Sequence, residues 1–456
     1  MLKHLQLQDF KAWANADLRL APITGLFGTN SSGKTSLIQF LLLLKLTKEA
    51  SDRGLALDLG GPTKQVNLGT FRDVVHRHET SRSISWTLDW QSDKPLEVSD
   101  PEASRQELLF SGNQLGLASE VALDNKLMRT RFIEYNLGDN HFSLRPRQTE
   151  KAQFDLAYSG DKDFRFKRTT GRAWTLPGPT KSYVFPDQAR TYFQNAGFLS
   201  DLEAAYEKQI DAIRYLGPLR ESPKREYAWG RARPSDVGPR GEQAIEAILA
   251  ATADGERRNL RYKSRQIPFQ EMIAYWLREL GLIHKFRVEE IGDGSNLWQA
   301  KLQVAAKGPE VLLTDVGFGV SQILPVVTLL YYVPEDSTVI LEQPEIHLHP
   351  LAQASLADLV ISVATHRRVQ VIVESHSEHF LLRLQRRIAE QQLRPEDTAL
   401  YFCRGEDGGS KLERLDVDLL GNITNWPENF FGDALGEATA AEIARIKQQQ
   451  QQSKSA

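Results

Sequence analysis

The chain is 456 residues long and carries 56 Lys+Arg against 59 Asp+Glu, a formal net charge of −3. That length supports two or three structural units around a sizeable core, and the near-neutral balance excludes a globally basic nucleic-acid coat while leaving room for a local basic patch. Cys403 is the single cysteine, which excludes a disulfide framework and a thiolate metal cluster.

The start, MLKHLQLQDF, lacks the apolar core of a secretory signal. Leu2, Leu5 and Leu7, then DFKAWANADLRL and APITGLFG, predict two or three short strands entering a glycine turn. A leucine-rich helix is expected from Ser36 to about Lys48, ended by GLALDLGGPTK. Its run LIQFLLLLKL at 37–46 is far shorter than the roughly 20 residues that span a bilayer, so no membrane contact is expected and a cytoplasmic chain is. Alternating stretches over 83–170 (SISWTLDW, TRFIEYNL, FRFKRT) predict an inserted antiparallel sheet. Residues 188–214 read as mostly helical with one glycine inside, and two segments rich in Arg, Gly and Pro follow. A helix is expected over 268–280, and VILE at 339–342 and VQVIVE at 369–374 read as buried parallel strands. No solenoid repeat or long heptad run is present, and the tail KQQQQQSKSA reads as disordered.

The sharpest chemical signal is GTNSSGKT at 28–35, between a strand-like ITGLF and a helix-like SLIQFLLLL. Gly28, Thr29, Asn30, Ser31, Ser32 and Gly33 would curl so that successive N–H groups face an anion, with the helix adding its positive end beyond Ser36. Lys34 would reach the β- and γ-phosphates of ATP, and the Thr35 hydroxyl would ligate Mg²⁺. The bland alternative, a chance glycine turn, lacks the flanking strand and helix that this pattern requires.

A second turn, LTDVGFGVSQ at 313–322, places Gly317, Gly319 and Ser321 ahead of a helix, where an ordinary N-cap is the competing reading. One chain with two phosphate-facing turns suggests that two chains share each nucleotide. Glu342 ends a buried strand, where a carboxylate can take Mg²⁺. Glu374 and His376 end the next, so all three could face one crevice beyond the strand ends. His347, His349, His376 and His379 form H-x-H and H-x-x-H without a cysteine partner, and packing is the alternative to a transition-metal site.

On these residues the chain resembles the ABC-type ATPases of the SMC, RecF and OLD-like class. Phe10-Lys11, the Asn30-bearing cradle, a degenerate signature at Val316–Gln322, the EQPEIHLHP block and the ESHSEH segment carry the likeness over roughly 1–80 and 300–405. The segment DLLGNITNWPENFFGD at 418–433 is similar to a narrower prokaryotic family of ATPases with a C-terminal domain of unknown function. The resemblance implies an α/β P-loop NTPase: a mixed sheet with an inserted antiparallel β-subdomain, a helical region and a small C-terminal domain. Its partition would be 1–80 and 300–405 for the ATPase halves, 81–180 for the β-insert, 181–299 for the Arg-rich insert, 406–447 for the terminal domain and 448–456 for the tail. It further implies Lys34, Thr35, Glu342 and His376 at the nucleotide, with Gly319 and Ser321 contacting the nucleotide of a second subunit.

The class usually places Asp then Glu where this chain has Glu342 and Gln343. An amide orients water but accepts no proton, so hydrolysis is expected to be slow or partner-dependent, or to use Glu345, Glu374 or His376 as base. The expected function is a switch that dimerises or oligomerises on ATP and controls a separate effector chain, in phage defence or DNA metabolism. The rivals are a non-hydrolysing ATP-sensing scaffold and, last, a transport ATPase. Residues 220–240 hold six Arg/Lys against three acids, and 256–265 add five more. With Tyr227, Trp229 and Tyr262 interleaved, DNA contact and a solvated ion-paired surface are equal readings, and Arg220 is alternatively an interface residue. Trp426, Phe430 and Phe431 are expected as core anchors of the terminal domain.

Overall fold

The computed structural model describes residues 1–99, 108–147, 153–171, 175–259, 265–292, 294–427 and 445. At its centre lies a six-stranded sheet in the order Gly409–Leu415, Thr398–Glu406, Ile23–Gly28, Gln370–Glu374, Thr338–Glu342, Ile213–Leu216. All neighbours are parallel except the first pair, an antiparallel hairpin at the edge. The expected parallel strands are thus present, side by side.

Their near-continuous aliphatic sequence has a simple cause. Successive side chains of a strand point to opposite faces, and here both faces are covered. Leu26, Ile213, Ile340, Ile372, Ala399 and Tyr401 pack on one side with helix Lys34–Glu49 and the antiparallel sheet. Ile23, Phe27, Val339, Leu341, Val371, Val373, Leu400 and Phe402 pack on the other with helices Ala244–Ala253, Phe269–Glu279, Phe318–Tyr332, Pro350–Arg367 and Glu378–Ala389. Each such side chain contributes about 1.5–3 kcal/mol of burial, so strand ends inherit a rigid support.

The second sheet has seven antiparallel strands, ordered Trp13–Arg19, Leu2–Phe10, Ser83–Ser99, Leu108–Asp124, Leu127–Leu137, Asn140–Pro146, Phe154–Ser159. The opening hairpin pairs directly with Ser83–Ser99, Leu5 opposite Leu88. The line drawn at 80/81 therefore runs through one sheet. Alternation reports which face a strand buries, not which partner it takes. Likewise the line at 405/406 falls inside Thr398–Glu406, because the edge hairpin completes the central sheet. The segment given to the Arg-rich insert supplies the opposite edge strand, Ile213–Leu216, and the line at 299/300 cuts through a small sheet of Tyr227–Ala228, Leu297–Gln303, Lys285–Glu290 and Glu310–Leu312. The helix expected over 188–214 is two, Asp187–Tyr192 and Leu199–Asp211, parted around Gly197. The tail 448–456 lies outside the described residues. Among the described residues no helix is long and apolar enough to cross a membrane.

Candidate functional site

The strand Ile23–Gly28 is buried throughout and turns at Gly28, whose φ is +136°. A Cβ there would sit 2.0 Å from the Cys403 carbonyl oxygen on the neighbouring strand, so only glycine fits. Gly33 has φ +88°, and a Cβ on it would lie 2.7 Å from Ser410 Oγ and 3.0 Å from Trp13 Nε1. The Trp13 indole also donates to the Gly33 carbonyl at 3.0 Å, so the opening hairpin braces the loop. Between the glycines Thr29 and Asn30 are exposed, Ser31 stands at φ +61° and Ser32 is buried. Helix Lys34–Glu49 follows at once, with no side-chain cap on its first turn. The Ser36 N–H donates to the Gly33 carbonyl at 3.0 Å, which leaves the dipole and the N–H groups ahead of it to face an anion.

Lys34 is only 3% exposed. Its Nζ donates to the Gly28 carbonyl (3.1 Å), the Thr29 carbonyl (2.7 Å) and Ser32 Oγ (3.3 Å). Burial lowers its pKa, and Glu374 opposes that shift. Thr35 Oγ1 donates to Glu374 Oε2 at 2.9 Å and Oε1 at 3.1 Å. The sequence paired Thr35 with Glu342 as the magnesium ligands; the structure sets Glu374 against the Thr35 hydroxyl.

Glu342 stands opposite Glu374 in the parallel ladder, which brings two carboxylates to adjacent strand ends. Burial and the neighbouring Glu374 push the Glu342 carboxyl up to about 7, although the Tyr215 hydroxyl donates to its Oε1 at 3.1 Å. Burial also raises Glu374, against Thr35 and Lys34, and raises Glu345. Glu345 Oε1 accepts the His376 backbone N–H at 2.7 Å, while Glu345 Oε2 is buried without a partner. His376 itself is half-buried, its pKa lowered by burial and by Lys34. Gln343 adopts φ +44°, and its N–H donates to the Glu374 carbonyl at 2.8 Å. That left-handed residue turns the chain so that Glu345, not Gln343, is bonded at the His376 strand end.

The donor set suits Mg²⁺: a Thr hydroxyl with carboxylates at two strand ends is hard oxygen. Thr35, Glu374 and Glu342 are the residues that would hold the ion. Two residues here carried little sequence signal. Tyr215 reads as one aromatic in a short strand, and Trp13 as a buried hairpin residue. Arg220, read as a surface or interface cation, is 8% exposed and donates to the Glu342 carbonyl at 3.4 Å.

Gly317 precedes helix Phe318–Tyr332 in an extended conformation, with Gly319 in the first turn. A Cβ on Gly319 would lie 3.3 Å from the His347 carbonyl, so this turn packs beside the 342–349 loop. The Ser321 hydroxyl is buried and donates to the Phe318 carbonyl at 2.9 Å, the local bond of an N-terminal serine. Phe318 projects outward, 68% exposed, its ring 6.1 Å from that of His347.

The histidines do not assemble a metal centre. His349 Nδ1 accepts the Leu351 N–H and caps helix Pro350–Arg367, and among the described residues no group of three or more His, Cys, Asp or Glu is arranged to hold an ion. Four cations of the basic segments are ion-paired among the described residues. Arg225 pairs with Asp315, Arg233 with Asp254 and Glu256, Arg240 with Glu221, and Arg258 with Glu256. Tyr227 and Trp229 are buried in the small sheet, which corrects their reading as stacking aromatics. Arg261, Tyr262 and Lys263 lie outside the described residues. Trp426 is 44% exposed rather than a core anchor, and Phe430 and Phe431 lie outside the described residues.

The family model described as an AAA domain, putative AbiEii toxin, type IV TA system, matches residues 23–383. A second, described as a protein of unknown function (DUF3696), matches residues 393–440. No curated protein matches the chain. Among solved structures, the SMC head domain from Thermotoga maritima is 11% identical, covering 91% of this chain and 99% of its own, with a TM-score of 0.41. An SmcHead bound to the C-winged helix domain of ScpA is 11% identical over 92% and 98%, with a TM-score of 0.44. An Smc head domain with an extended coiled coil, bound to the C-terminal domain of ScpA derived from Pyrococcus furiosus, is 10% identical over 91% and 96%, with a TM-score of 0.45. The looped strand, its helix and the mixed central sheet, with the matching AAA-domain model, make this a P-loop NTPase fold.

Proposed function

This chain belongs to the AAA-domain family of putative AbiEii toxins, with a DUF3696 segment after it, and on that premise we propose that it is an ATP-driven switch that hydrolyses slowly and pairs with a second copy on ATP. The observation that carries this reading is the Thr35–Glu374 hydrogen bond beside a buried Lys34. It supports reading a phosphate cradle and an acid-lined crevice at one set of strand ends. Bound there, Mg²⁺ would neutralise charge on the β- and γ-phosphates. Lys34 would exchange its loop carbonyls for phosphate oxygens.

Slow turnover follows from the acids. Gln343 takes no proton, and Glu342, at about 7, is partly protonated near neutrality. Pairing would use the helix start at Gly317 and Gly319, beside the exposed Phe318; Ser321 would contribute after releasing the Phe318 carbonyl. The family description names a putative toxin of a type IV TA system; control of a separate effector chain in phage defence is part of the proposal and rests on the sequence resemblance. The ion pairs over 220–258 weigh against a DNA surface there.

One observation favours a second reading. The backbone of Gln343 is fixed to Glu374 in a left-handed conformation, which suits a rigid ATP-sensing scaffold as well as a turnover site. Phosphate release from ATP with Mg²⁺, followed over hours and compared with sedimentation before and after ATP, separates the two. Slow release with ATP-dependent pairing supports the switch. Pairing with no release supports the scaffold, and neither pairing nor release removes both.

A further inference from the structure

Arg220 is an anomaly in this crevice. It is more than nine-tenths buried, yet its Nε and Nη1 have no hydrogen-bond partner among the described residues. Its one bond, from Nη2 to the Glu342 carbonyl, is long at 3.4 Å. A buried guanidinium with unspent N–H groups is costly, and native interiors retain such groups where a second state employs them. The complementary orphan lies in the same crevice: Glu345 Oε2, equally buried and unpartnered, on the turn that begins at Glu342. Glu342 and Glu345 are the acids within electrostatic reach of Arg220, together with the Tyr215 hydroxyl. Glu345 also meets the His376 backbone N–H, which bonds its Oε1, and lies within reach of the Ser375 hydroxyl, Glu374 and Lys34.

We infer that Arg220 is the positioning residue for Glu345: its free N–H groups grip the Glu345 carboxylate when nucleotide is bound, so that Glu345 and not Gln343 takes the proton of the attacking water. The inference rests on the ATPase reading above. The water oxygen bonds to the γ-phosphorus, its proton passes to Glu345, and the γ-phosphorus–oxygen bond breaks with its electron pair left on the ADP β-phosphate. A guanidinium fork is the fitting clamp, because two parallel N–H groups fix a carboxylate plane where a lysine point charge does not.

Two measurements test it. The first is ATP turnover by wild type, Arg220→Lys, Arg220→Met and Glu345→Gln. The expected result is kcat reduced at least tenfold in all three variants, with nucleotide affinity within threefold of wild type. Full rescue by lysine, or loss of affinity in place of kcat, overturns the positioning role. The second needs no turnover: a thermal double-mutant cycle of Arg220→Met and Glu345→Gln with ADP·Mg²⁺ bound. Coupled residues give a double variant no less stable than the weaker single variant, whereas additive losses overturn the pairing. If wild type binds ATP but never releases phosphate, the ATPase reading fails by itself, and the cycle still decides whether the pair forms.

Discussion

Gln343→Glu puts the water-polarising acid of related ATPases into a crevice that already holds three carboxyl groups. A simple base argument predicts 10²–10⁴-fold acceleration. The surroundings predict less. Glu342 is pushed up to about 7, and Glu345 and Glu374 are held above the ordinary carboxylate range, so the site already disfavours negative charge. A new carboxylate about 6 Å from each of two ionised neighbours meets a repulsion of roughly 2.8 kcal/mol from each at an effective dielectric of 20, together about four pKa units. At pH 7 a carboxyl raised that far is only a few per cent ionised, which cancels between about one and two of the expected decades. If Glu345 already serves as base, the remainder shrinks further. The expected outcome is a rate between parity and about tenfold above wild type at pH 7, with the ratio growing toward pH 8.5 as the new acid ionises. Single-turnover phosphate release from pH 6 to 9 reads both. An acceleration of about a thousandfold at pH 7 would refute the reasoning, because it requires an ionised carboxylate at 343 unhindered by its neighbours.

Lys34→Ala should abolish the thermal shift produced by ATP with Mg²⁺, while wild type gains about 2.7 kcal/mol at a hundredfold excess over Kd; equal shifts in differential scanning fluorimetry remove Lys34 from the site. Glu342→Gln tests the charge balance without nucleotide. With its pKa raised from 4.5 to about 7, folded Glu342 holds more proton than unfolded between those values, so its contribution to stability falls as pH rises through that window. The variant should therefore gain on wild type between pH 5 and pH 8, by on the order of 3 kcal/mol at most, and a difference in urea midpoint that stays constant with pH contradicts the assignment. Ser321→Arg replaces a buried hydroxyl with a bulky cation at the proposed pairing turn. It should leave ATP binding by single chains intact and eliminate ATP-dependent pairing in sedimentation velocity; undiminished pairing excludes this turn from the interface.

The cradle was legible because its chemistry is written in consecutive residues: Gly28, Gly33, Lys34 and Thr35 sit within one turn and one helix start. The central strands were legible because burial on both faces leaves an unbroken aliphatic run. What escaped depends on long-range pairing. The bond between Thr35 and Glu374 joins residues 339 positions apart and exists because Gln370–Glu374 lies between the looped strand and the Glu342 strand. No local pattern encodes that order, so the equally acidic Glu342 looked like the natural partner. Arg220 was misread for a related reason. In sequence it belongs to a run of surface cations, but it follows the edge strand Ile213–Leu216, which lies directly beside Thr338–Glu342 and carries the guanidinium inward. Tyr227 and Trp229 alternate with cations in sequence and pack into the small sheet in space, because aromatic burial outweighs what stacking surface they would offer.

The crevice is best understood as a site whose charges balance only with nucleotide present. Glu342, Glu345 and Glu374 are all destabilised as anions, and Lys34 and Arg220 are both destabilised as cations, each chiefly by burial. Opposite charges in one crevice that fail to satisfy one another are held apart by the fold. Thr35 and the His376 N–H hold two acids at their strand ends, while the loop carbonyls hold Lys34. A triphosphate supplies the anion that Lys34 lacks, and its divalent cation supplies the positive charge that the carboxylates lack. Binding is then favoured twice over, by new contacts and by relief of a misfit that the two-sided aliphatic core is rigid enough to maintain. A fold that maintains such a misfit without ligand is suited to changing state when the ligand arrives, as the proposed switch requires.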